Sequence, residues 1–563
     1  LSSSTSQSIA PTSWAYFDRL GREMLTTNLL FLPSGGTQQY SSVRTTYDLT
    51  GRALTVTVPY FTGGPTVADP EAPSAGGTAA NQPKATNQYS GLSRSLKQVR
   101  PESASSTVEG TYDAEARRTE AKTVRAVISG SPVTYTTRSW TTALGETARI
   151  EDPSGFTVAM DYAPFGQLES VKRTPTDGSS MGLEITTRIS YDAVGRKIGM
   201  TDPDRGVWSY TYNSLGEILT QTDSKLQTSR MYYDALGRVW KRTEERAPVG
   251  GGANTTESIV VWDYDTADAV NTAGSNYTCE AKGVPPAADS APSYVLGALA
   301  AEADSISQFR REFKYDTTAR RLKTHTRIDG SWYTSCQTYD KYGRAKQAFD
   351  ATGEGIANTY TDGGHLLYVR DGGTIVAPTI IGGIYWERRG TDARGNVTIE
   401  RLANNAAFET TRGYEASTGR LLSIQTSSAI AGFKYQDLAY TYDFHGNLKS
   451  RADKSLYFDV AGMAQANDLK EEFVYDSRDR LTTATRTRLA GAVDTKVLLS
   501  QAFDALGNQT SRTSGETVPG FVAGTYEYRT TPVGCTQAGP HALSKVGAIT
   551  WCYDANGNQT KEA

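Results

Sequence analysis

A four-residue pattern, Asp-x-x-Gly, recurs along the chain and constrains its fold more than any other feature. It occurs twelve times in 563 residues, against roughly three occurrences expected from the Asp and Gly frequencies. In ten copies the preceding residue is Tyr or Phe, and in nine the following residue is Arg or Asn. The copies begin at Asp18, Asp48, Asp152, Asp192, Asp234, Asp340, Asp350, Asp392, Asp443, Asp459, Asp504 and Asp554.

Each position of the pattern suits a hairpin turn. Asp at the first position of a type I turn accepts hydrogen bonds from the amides that follow, and Gly at the fourth supplies the positive φ that returns the chain to an antiparallel partner. We therefore predict a capping role for these aspartates rather than a catalytic one. The predicted structural residues are Asp18, Gly21, Asp48, Gly51, Tyr191, Asp192, Gly195, Tyr233, Asp234, Gly237, Tyr339, Asp340, Gly343, Tyr442, Asp443, Gly446, Asp504, Gly507, Tyr553, Asp554 and Gly557.

Three related turns lack the glycine. Asp479 in the fourth position still tolerates the left-handed region, whereas Ala116 and Ala319 would be strained there. We expect the last two turns to differ in type.

The segments between turns alternate like strands. In residues 206–212 Trp208, Tyr210 and Tyr212 share one face, as a period of two requires. Tyr191, Tyr212 and Tyr233 lie 21 residues apart, which fits two strands of about eight residues with two short turns. Because one hairpin is unstable alone and long sheets twist, we predict an all-β chain: antiparallel hairpins in one long sheet that forms a closed or spiralling shell.

Residues 1–563 are predicted to form a single continuous repeat segment with three insertion loops. The loops are residues 63–87, 247–256 and 281–293, where Pro, Gly and Ala replace the alternation. The first loop could equally separate an N-terminal cap from the main body. Only residues 294–313 show a pattern compatible with a short helix.

Composition excludes several classes of partner. The chain has 58 Lys and Arg against 61 Asp and Glu, a net charge of −3, with both signs interspersed, so we predict no nucleic-acid partner. No apolar run reaches the roughly 18 residues of a membrane span, and residues 1–14 lack the basic and apolar regions of a cleavable signal. A missing signal leaves export open, because the chain does not begin with Met.

The four cysteines have no metal-ligand spacing. Cys535 and Cys552 are close enough in sequence to be bridged across a hairpin, but the geometric demands of a disulfide favour unpaired thiols.

No local motif predicts an enzyme, and we predict no catalytic, cofactor-binding or metal-binding residue. The sequence GSSMG at residues 178–182 matches a nucleophile elbow but is followed by strand alternation instead of a helix. Asp263, Asp265 and Asp268 have calcium-like spacing without the remainder of the loop signature. The four histidines are far apart and are expected to be surface or strand residues. They are His325, His365, His445 and His541.

The segments YDAVGRKIGMTDPDRGVWSYTYNSLGEILTQTD, YDALGRVWKRTEE, YTYDFHGNL and YDANGNQT resemble the YD repeats of the Rhs family. That family includes bacterial Rhs polymorphic toxins, the C component of insecticidal toxin complexes and the teneurins. The resemblance covers residues 17–558 and implies a large hollow β-cocoon, which in the bacterial members encloses a C-terminal toxin. The family's C-terminal autoprotease core, with its DPxGL-type ending, does not occur here, so no catalytic residue is carried over.

The resemblance gives two hypotheses of different classes. The first is a non-enzymatic shell segment of a secreted or bacterial cell-surface delivery protein, with its own C-terminal effector as cargo and secretion or toxin-complex subunits as partners. The alternative is an extracellular adhesion or glycan-binding protein. A solvent-facing groove at Trp140, Trp208, Trp240 or Trp386 with nearby carboxylates would favour the alternative. A polysaccharide-cleaving enzyme is a weaker third hypothesis, because no acid/base pair can be nominated.

Overall fold

The computed structural model describes residues 13–562 with gaps, of which the longest are 31–38, 63–81, 175–184, 247–253, 266–295 and 375–382. The described residues form strands and turns and contain no α-helix. Forty-one of the strands belong to one hydrogen-bonded sheet, in which all pairings are antiparallel. The predicted all-β fold, a long sheet of hairpins, is confirmed.

The strands are numbered in chain order, and most have five to ten residues. Their bounds are β1 Ser13–Phe17, β2 Glu23–Leu29, β3 Tyr40–Tyr47, β4 Ala53–Thr57, β5 Tyr60–Thr62, β6 Lys84–Tyr89, β7 Ser95–Arg100, β8 Ser103–Asp113, β9 Arg118–Val127, β10 Gly130–Thr141, β11 Thr147–Glu151, β12 Thr157–Tyr162, β13 Leu168–Thr174, β14 Ile185–Tyr191, β15 Lys197–Asp202, β16 Gly206–Tyr212, β17 Ile218–Thr222, β18 Thr228–Tyr233, β19 Val239–Arg246, β20 Thr255–Tyr264, β21 Leu299–Asp304, β22 Phe309–Tyr315, β23 Arg321–Ile328, β24 Ser331–Tyr339, β25 Ala345–Phe349, β26 Glu354–Tyr360, β27 Leu366–Thr374, β28 Ile384–Thr391, β29 Val397–Leu402, β30 Glu409–Tyr414, β31 Leu421–Ser427, β32 Lys434–Tyr442, β33 Leu448–Asp453, β34 Leu456–Phe458, β35 Ala464–Ala466, β36 Leu469–Tyr475, β37 Leu481–Arg488, β38 Asp494–Phe503, β39 Gln509–Thr513, β40 Gly524–Tyr528, β41 Leu543–Val546, β42 Ile549–Tyr553 and β43 Gln559–Glu562.

Almost every strand pairs with the next one in the chain, as in a meander. Near the start, β5 pairs with β3 and β6 pairs with β4. Later, β33 pairs with β36, while β34 and β35 form a separate two-stranded hairpin. In β16 the aromatic face is half-buried and the opposite face, which carries Val207, is exposed, so the predicted alternation is present.

The sheet coils back on itself, because side chains far apart in the sequence are in contact. Hydrogen bonds join residues separated by 324 to 352 positions, for example Arg478 to Ser154 and His541 to Asp204. One turn of the coil is therefore roughly 330 residues long. We call β1 to β24 the first coil and β25 to β43 the second coil.

The two edges of this strip differ in their turns. The edge that we call the signature edge carries the β1–β2, β3–β4, β14–β15, β18–β19 and equivalent turns, and it holds nine Asp-x-x-Gly copies among the described residues. The opposite edge carries the turns at residues 203–205 and 223–227, together with the copies at Asp152 and Asp350. The coil contacts join the opposite edge of the first coil to the signature edge of the second.

Three boundary predictions were wrong. The proposed helix at residues 294–313 is instead the hairpin of β21 and β22, whose ladder from Ala301–Glu312 to Asp304–Phe309 places both segments in the sheet. Cross-strand pairing thus overrides a weak local helix pattern. Residues 84–87 of the first predicted loop belong to β6, and residues 255 and 256 of the second belong to β20. The third predicted loop, 281–293, lies outside the described residues.

The expectation of unpaired thiols was also wrong. Cys535 and Cys552 form a disulfide with a Cα–Cα distance of 5.1 Å, and Cys336 is disulfide-bonded as well. Because β42 returns antiparallel beside β41, it brings Cys552 within bridging distance of the loop that holds Cys535.

Candidate functional site

The repeated turn is the most regular constellation of side chains in the molecule. In the turn at Asp234 the Asp234 amide donates to the Arg238 carbonyl at 2.9 Å, and the Gly237 amide donates back to the Asp234 carbonyl at 3.1 Å. Gly237 has a φ of 77°. All eleven Asp-x-x-Gly copies among the described residues make these two bonds; the copy at Asp459 lies outside the described residues.

The aspartate carboxylate accepts hydrogen bonds from backbone amides of its own turn. Its Oδ1 accepts a hydrogen bond from the amide of the fifth residue at 2.8–3.3 Å in each of the eleven copies. The amide of the third residue also donates to Oδ1, as Leu236 does to Asp234 at 2.9 Å. The carboxylate therefore replaces solvent for amides that the turn leaves unpaired.

The fifth residue, Arg or Asn, binds the other carboxylate oxygen. An Arg Nε donates to Oδ2 at 2.6–2.7 Å in the turns beginning at Asp18, Asp48, Asp192, Asp234 and Asp340. An Asn Nδ2 does so at 2.9–3.4 Å from Asn396, Asn447, Asn508 and Asn558. The sequence showed that Arg or Asn recurs here, but not what either residue does.

The arginine also connects each unit to the next. Arg196 lies over the Tyr212 ring at 5.0 Å from its centroid, and its Nη1 donates to the Asn213 carbonyl at 3.0 Å. Nine such stacks have distances of 4.4–5.8 Å: Arg22–Tyr47, Arg52–Tyr89, Arg94–Tyr112, Arg196–Tyr212, Arg238–Tyr264, Arg320–Tyr339, Arg344–Tyr360, Arg420–Tyr442 and Arg480–Phe503. Stacking and hydrogen bonding by one guanidinium suit Arg and not Lys.

The tyrosine before the turn completes the link. The Tyr212 hydroxyl donates to the Lys197 carbonyl at 2.6 Å, two residues beyond the glycine of the preceding unit. The tyrosines that make this bond are Tyr47, Tyr89, Tyr112, Tyr162, Tyr191, Tyr212, Tyr233, Tyr315, Tyr339, Tyr360, Tyr414, Tyr442, Tyr475 and Tyr553. Each repeat with such a tyrosine is thus bonded to the one before it through a side chain as well as through its strands.

These contacts stabilise the ionised aspartates. The backbone amide of Arg238, followed by its guanidinium, lowers the pKa of Asp234 below its ordinary value. Arg22 lowers the pKa of Asp18 in the same way. The carboxylates of Asp18 and Asp234 are therefore held ionised at neutral pH, which differs from the raised pKa that a general acid requires.

The three turns without glycine behave differently from one another. Ala319 takes a φ of 60° and keeps both backbone bonds of the common turn, so the prediction of a different turn type was wrong there. At Ala116 the turn does differ: the positive φ falls on Arg117, and Asp113 pairs with Arg118. Asp479 has a φ of 61°, the left-handed conformation predicted for it.

In two further turns the donor and acceptor roles of the first and fifth side chains are reversed. Asn213 donates from Nδ2 to the Glu217 carboxylate, and the Thr142 hydroxyl donates to the Glu146 carboxylate. In these two turns a neutral donor occupies the first position and an acid the fifth, whereas the turn at Asp350 has acids at both positions. The search for Asp-x-x-Gly missed both turns, although their glycines and spacing are the same.

The other candidate sites do not assemble. The described residues contain no group of three or more His, Cys, Asp and Glu that could hold a metal ion. His445 and His541 lie at the coil contact, where His541 Nδ1 is 2.7 Å from Asp204 Oδ2. Asp265 pairs with Arg238 at 2.6 Å, and Asp268 and residues 178–182 lie outside the described residues.

One pocket contains a tryptophan with carboxylates. A cavity of about 260 Å³ spans β16 to β20 and includes Trp208, Gln221 and Gln227. Ser229 and four acids complete its lining: Asp223, Glu244, Glu245 and Glu257. Trp140, Trp240 and Trp386 do not line it.

The comparisons agree with this geometry. The Rhs repeat family model matches residues 191–228, which include two of the turns described above. The crystal structure of TcdB2-TccC3 has the same fold, since it aligns with a TM-score of 0.67 and 14% identity, over 98% of this chain and 29% of that chain.

Two further structures are similar to this chain. The crystal structure of TcdB2-TccC3-Cdc42 has a TM-score of 0.66, 14% identity and coverage of 98% of this chain and 28% of that one. A Photorhabdus luminescens Tc holotoxin pore with a substitution in TccC3 has a TM-score of 0.63, with the same identity and coverage. The chain thus spans less than a third of these proteins' length. No curated protein sequence matches it.

The sheet has the spiralling shell fold of these structures. Among the described residues no helix has the length and hydropathy that a membrane crossing requires.

Proposed function

We propose that this chain is a non-enzymatic wall segment of an Rhs-type shell that encloses an effector polypeptide. The observation that carries the proposal is the coiled sheet itself, in which every repeat is tied to the preceding one and successive coils are in contact. The signature residues serve these links. Their hydrogen bonding within the turn, with the lowered pKa values of Asp18 and Asp234, is typical of structural contacts.

A coiled strip suits containment for a physical reason. Strand pairing along the strip satisfies backbone groups that would otherwise template aggregation at open edges. The half-buried aromatic face and the exposed Ser, Thr and Val face of strands such as β16 form a mixed wall without a large continuous apolar surface. Such a wall can hold an unfolded chain without binding it tightly.

The partners proposed for the chain follow from its neighbours. We propose that its cargo is a C-terminal effector of the same gene product, that it joins toxin-complex or secretion subunits, and that it acts outside the producing bacterial cell or at its surface. Neither nucleic acid nor a cofactor is required for this role.

The experiment is intact mass measurement of the natively purified source protein before and after denaturation, with terminal sequencing of each fragment. Release of a second polypeptide upon denaturation, from a particle that was protease-resistant before, is the expected result. A single species without associated polypeptide would refute containment.

A second candidate function, glycan binding, is favoured by the pocket at Trp208. An indole face beside Gln221, Gln227 and several carboxylates combines a stacking platform with hydrogen-bond acceptors for sugar hydroxyls. Glycan-array binding by the wild type that Trp208→Ala abolishes, with Trp386→Ala as the control, would support this function. Equal binding by both variants would exclude the pocket, and new reducing ends would show cleavage instead.

A further inference from the structure

A disulfide lies beside the contact between the two coils near the end of the chain. Residues 529–542 connect β40 to β41, and the bridge between Cys535 and Cys552 ties the middle of this connection to β42. His541 donates from its amide to Asp204 Oδ1 at 3.0 Å, and its ring Nδ1 lies 2.7 Å from Asp204 Oδ2. Because Asp204 lies in the turn between β15 and β16, the connection holds the second coil against the first.

This connection takes the place of a repeated turn and depends on the first coil. Arg529 stands where the repeated turns have their aspartate, and Asp204 of the first coil supplies a carboxylate instead. The two edges approach closely: a Cβ at Gly539 would lie 2.5 Å from Asp204 Oδ1, and one at Gly206 would lie 2.8 Å from the Ala555 carbonyl oxygen. With no side chain on either glycine to hold the edges apart, a small shift of the connection breaks the contact.

Few hydrogen bonds fix the connection itself. Among its described residues, Cys535 donates from its amide to the Pro532 carbonyl at 3.0 Å, and Ala542 donates to the Gly539 carbonyl at 3.1 Å. Side chains add the bonds of Thr530 with Ser544 and of Asn508 with Pro540. Because a cross-link restricts the conformations of the chain that it closes, the bridge, more than these hydrogen bonds, fixes where the connection lies.

We propose that the Cys535–Cys552 bridge is a reducible latch: it holds the contact at Asp204 closed, and its reduction by thiols releases the end of the second coil from the first. Disulfides persist in secreted proteins and at cell surfaces, whereas cytosolic thiols reduce them. The contact is therefore closed outside the cell and opens in a reducing compartment. This inference goes beyond the proposed function, because it concerns the wall itself and does not depend on what the wall encloses.

The reduction is a two-electron exchange with a thiol reductant of the glutathione or thioredoxin class. A thiolate attacks one sulfur of the bridge, forms a mixed disulfide and expels the other cysteine as a thiolate. A second thiolate then displaces the bound one, and the two protons that the reductant gave up go to the two cysteine sulfurs. The products are two cysteine thiols and the oxidised disulfide of the reductant. Both cysteines are half-buried and not enclosed, so a thiol can reach the bridge.

Hydrogen exchange of the natively purified chain, measured with and without dithiothreitol, tests the latch. Peptides covering residues 202–206 should exchange roughly tenfold faster or more after reduction. Peptides covering residues 152–156 are the internal control, because Arg478 binds them from the turn between β36 and β37, which the bridge does not close. His541→Ala should accelerate exchange at residues 202–206 without reductant, and dithiothreitol should then add little.

Two variants assign the response to this bridge. Cys535→Ser with Cys552→Ser should give the fast rate at residues 202–206 whether or not dithiothreitol is present. Cys336 is also disulfide-bonded, and Cys336→Ser should leave the response at residues 202–206 unchanged.

An unchanged rate at residues 202–206, after mass measurement has shown that the bridge is reduced, would overturn the latch, and this comparison needs no variant. Equal acceleration at residues 152–156, or a response that Cys336→Ser abolishes, would overturn it as well. Because the measurement is of exchange and not of cargo, an empty shell would leave the latch standing, and failure of the latch would leave the proposed function standing.

Discussion

The pairing between the first and fifth turn residues can be tested by placing the wrong partner at one of them. In the turn at residues 213–217, Asn213 donates to Glu217, and the Asn213 Oδ1 accepts the Leu215 and Glu217 amides at 3.0 Å each. Asn213→Asp keeps the acceptor for these amides. It removes the donor to Glu217 and brings two carboxylates together.

The expected cost combines two effects. Loss of a partly exposed hydrogen bond removes about 1 kcal/mol, and two carboxylates about 4 Å apart repel by about 1 kcal/mol at the dielectric constant of water. Together, about 2 kcal/mol corresponds to roughly 30-fold in an opening equilibrium. The double variant Asn213→Asp with Glu217→Arg recreates the common clamp and places a guanidinium where it can lie over Tyr233, as Arg196 lies over Tyr212.

Amide hydrogen exchange is the appropriate assay, because a long coiled sheet need not unfold in one step. Peptides covering residues 206–222 should exchange roughly 30-fold faster in Asn213→Asp and return close to the wild-type rate in the double variant. Glu217→Arg alone controls for the added arginine. Equal rates in Asn213→Asp and wild type, or a double variant no better than the single, would show that positions one and five do not act as a pair.

Three further outcomes follow from the geometry. Cys552→Ser, which opens the bridge to Cys535, should destabilise the C-terminal hairpins by about 3 kcal/mol and accelerate their proteolysis, and an unchanged cleavage rate would count against that role. Ala319→Gly should slow local hydrogen exchange, because it relieves about 1 kcal/mol of left-handed strain. Gly216→Ala should accelerate exchange through backbone strain alone, because the added Cβ meets no atom within 4 Å. The pKa of Asp234 is lowered in the fold, so its contribution to stability should be complete above about pH 4 and lost as the pH falls through the folded pKa. Hydrogen exchange measured along an acid titration should therefore show a loss of protection that the Asp234→Asn variant lacks.

The turns could be predicted from the sequence, but only some of the side-chain contacts that hold them could be. Asp and Gly at fixed spacing have local roles, so both follow from turn chemistry without any knowledge of neighbours. The tyrosine hydroxyl and the arginine act on the adjacent repeat, and their partners are backbone carbonyls, which carry no sequence signal. Recurrence of Arg after Gly was visible, but the ring beneath it, such as Tyr212 below Arg196, requires the strand register.

The errors have similar causes. An alanine-rich stretch at residues 294–313 has some helix propensity. The neighbouring strands offer unpaired edges, however, and pairing with them outweighs this propensity. Ala319 adopts the left-handed conformation because the Asp316 carboxylate and Arg320 hold the turn around it. In both places hydrogen bonds that form in the fold outweigh the conformational preference of the residues themselves.

The same turn performs two tasks, which explains why its third residue varies while Asp, Gly and the fifth residue recur. Reversal of the chain requires Asp, Gly and the fifth residue, whose side chains or backbone lie inside the turn. The third side chain lies outside the turn and contacts the adjacent edge where two coils meet: Arg478 binds the Asp152 carboxylate, and Asn556 binds Asp223. The turn can therefore keep its backbone bonds while the chemistry of its contact with the next coil changes. If that reasoning holds, exchanging Arg478 for Leu should loosen the contact at Asp152 without accelerating exchange within its own hairpin.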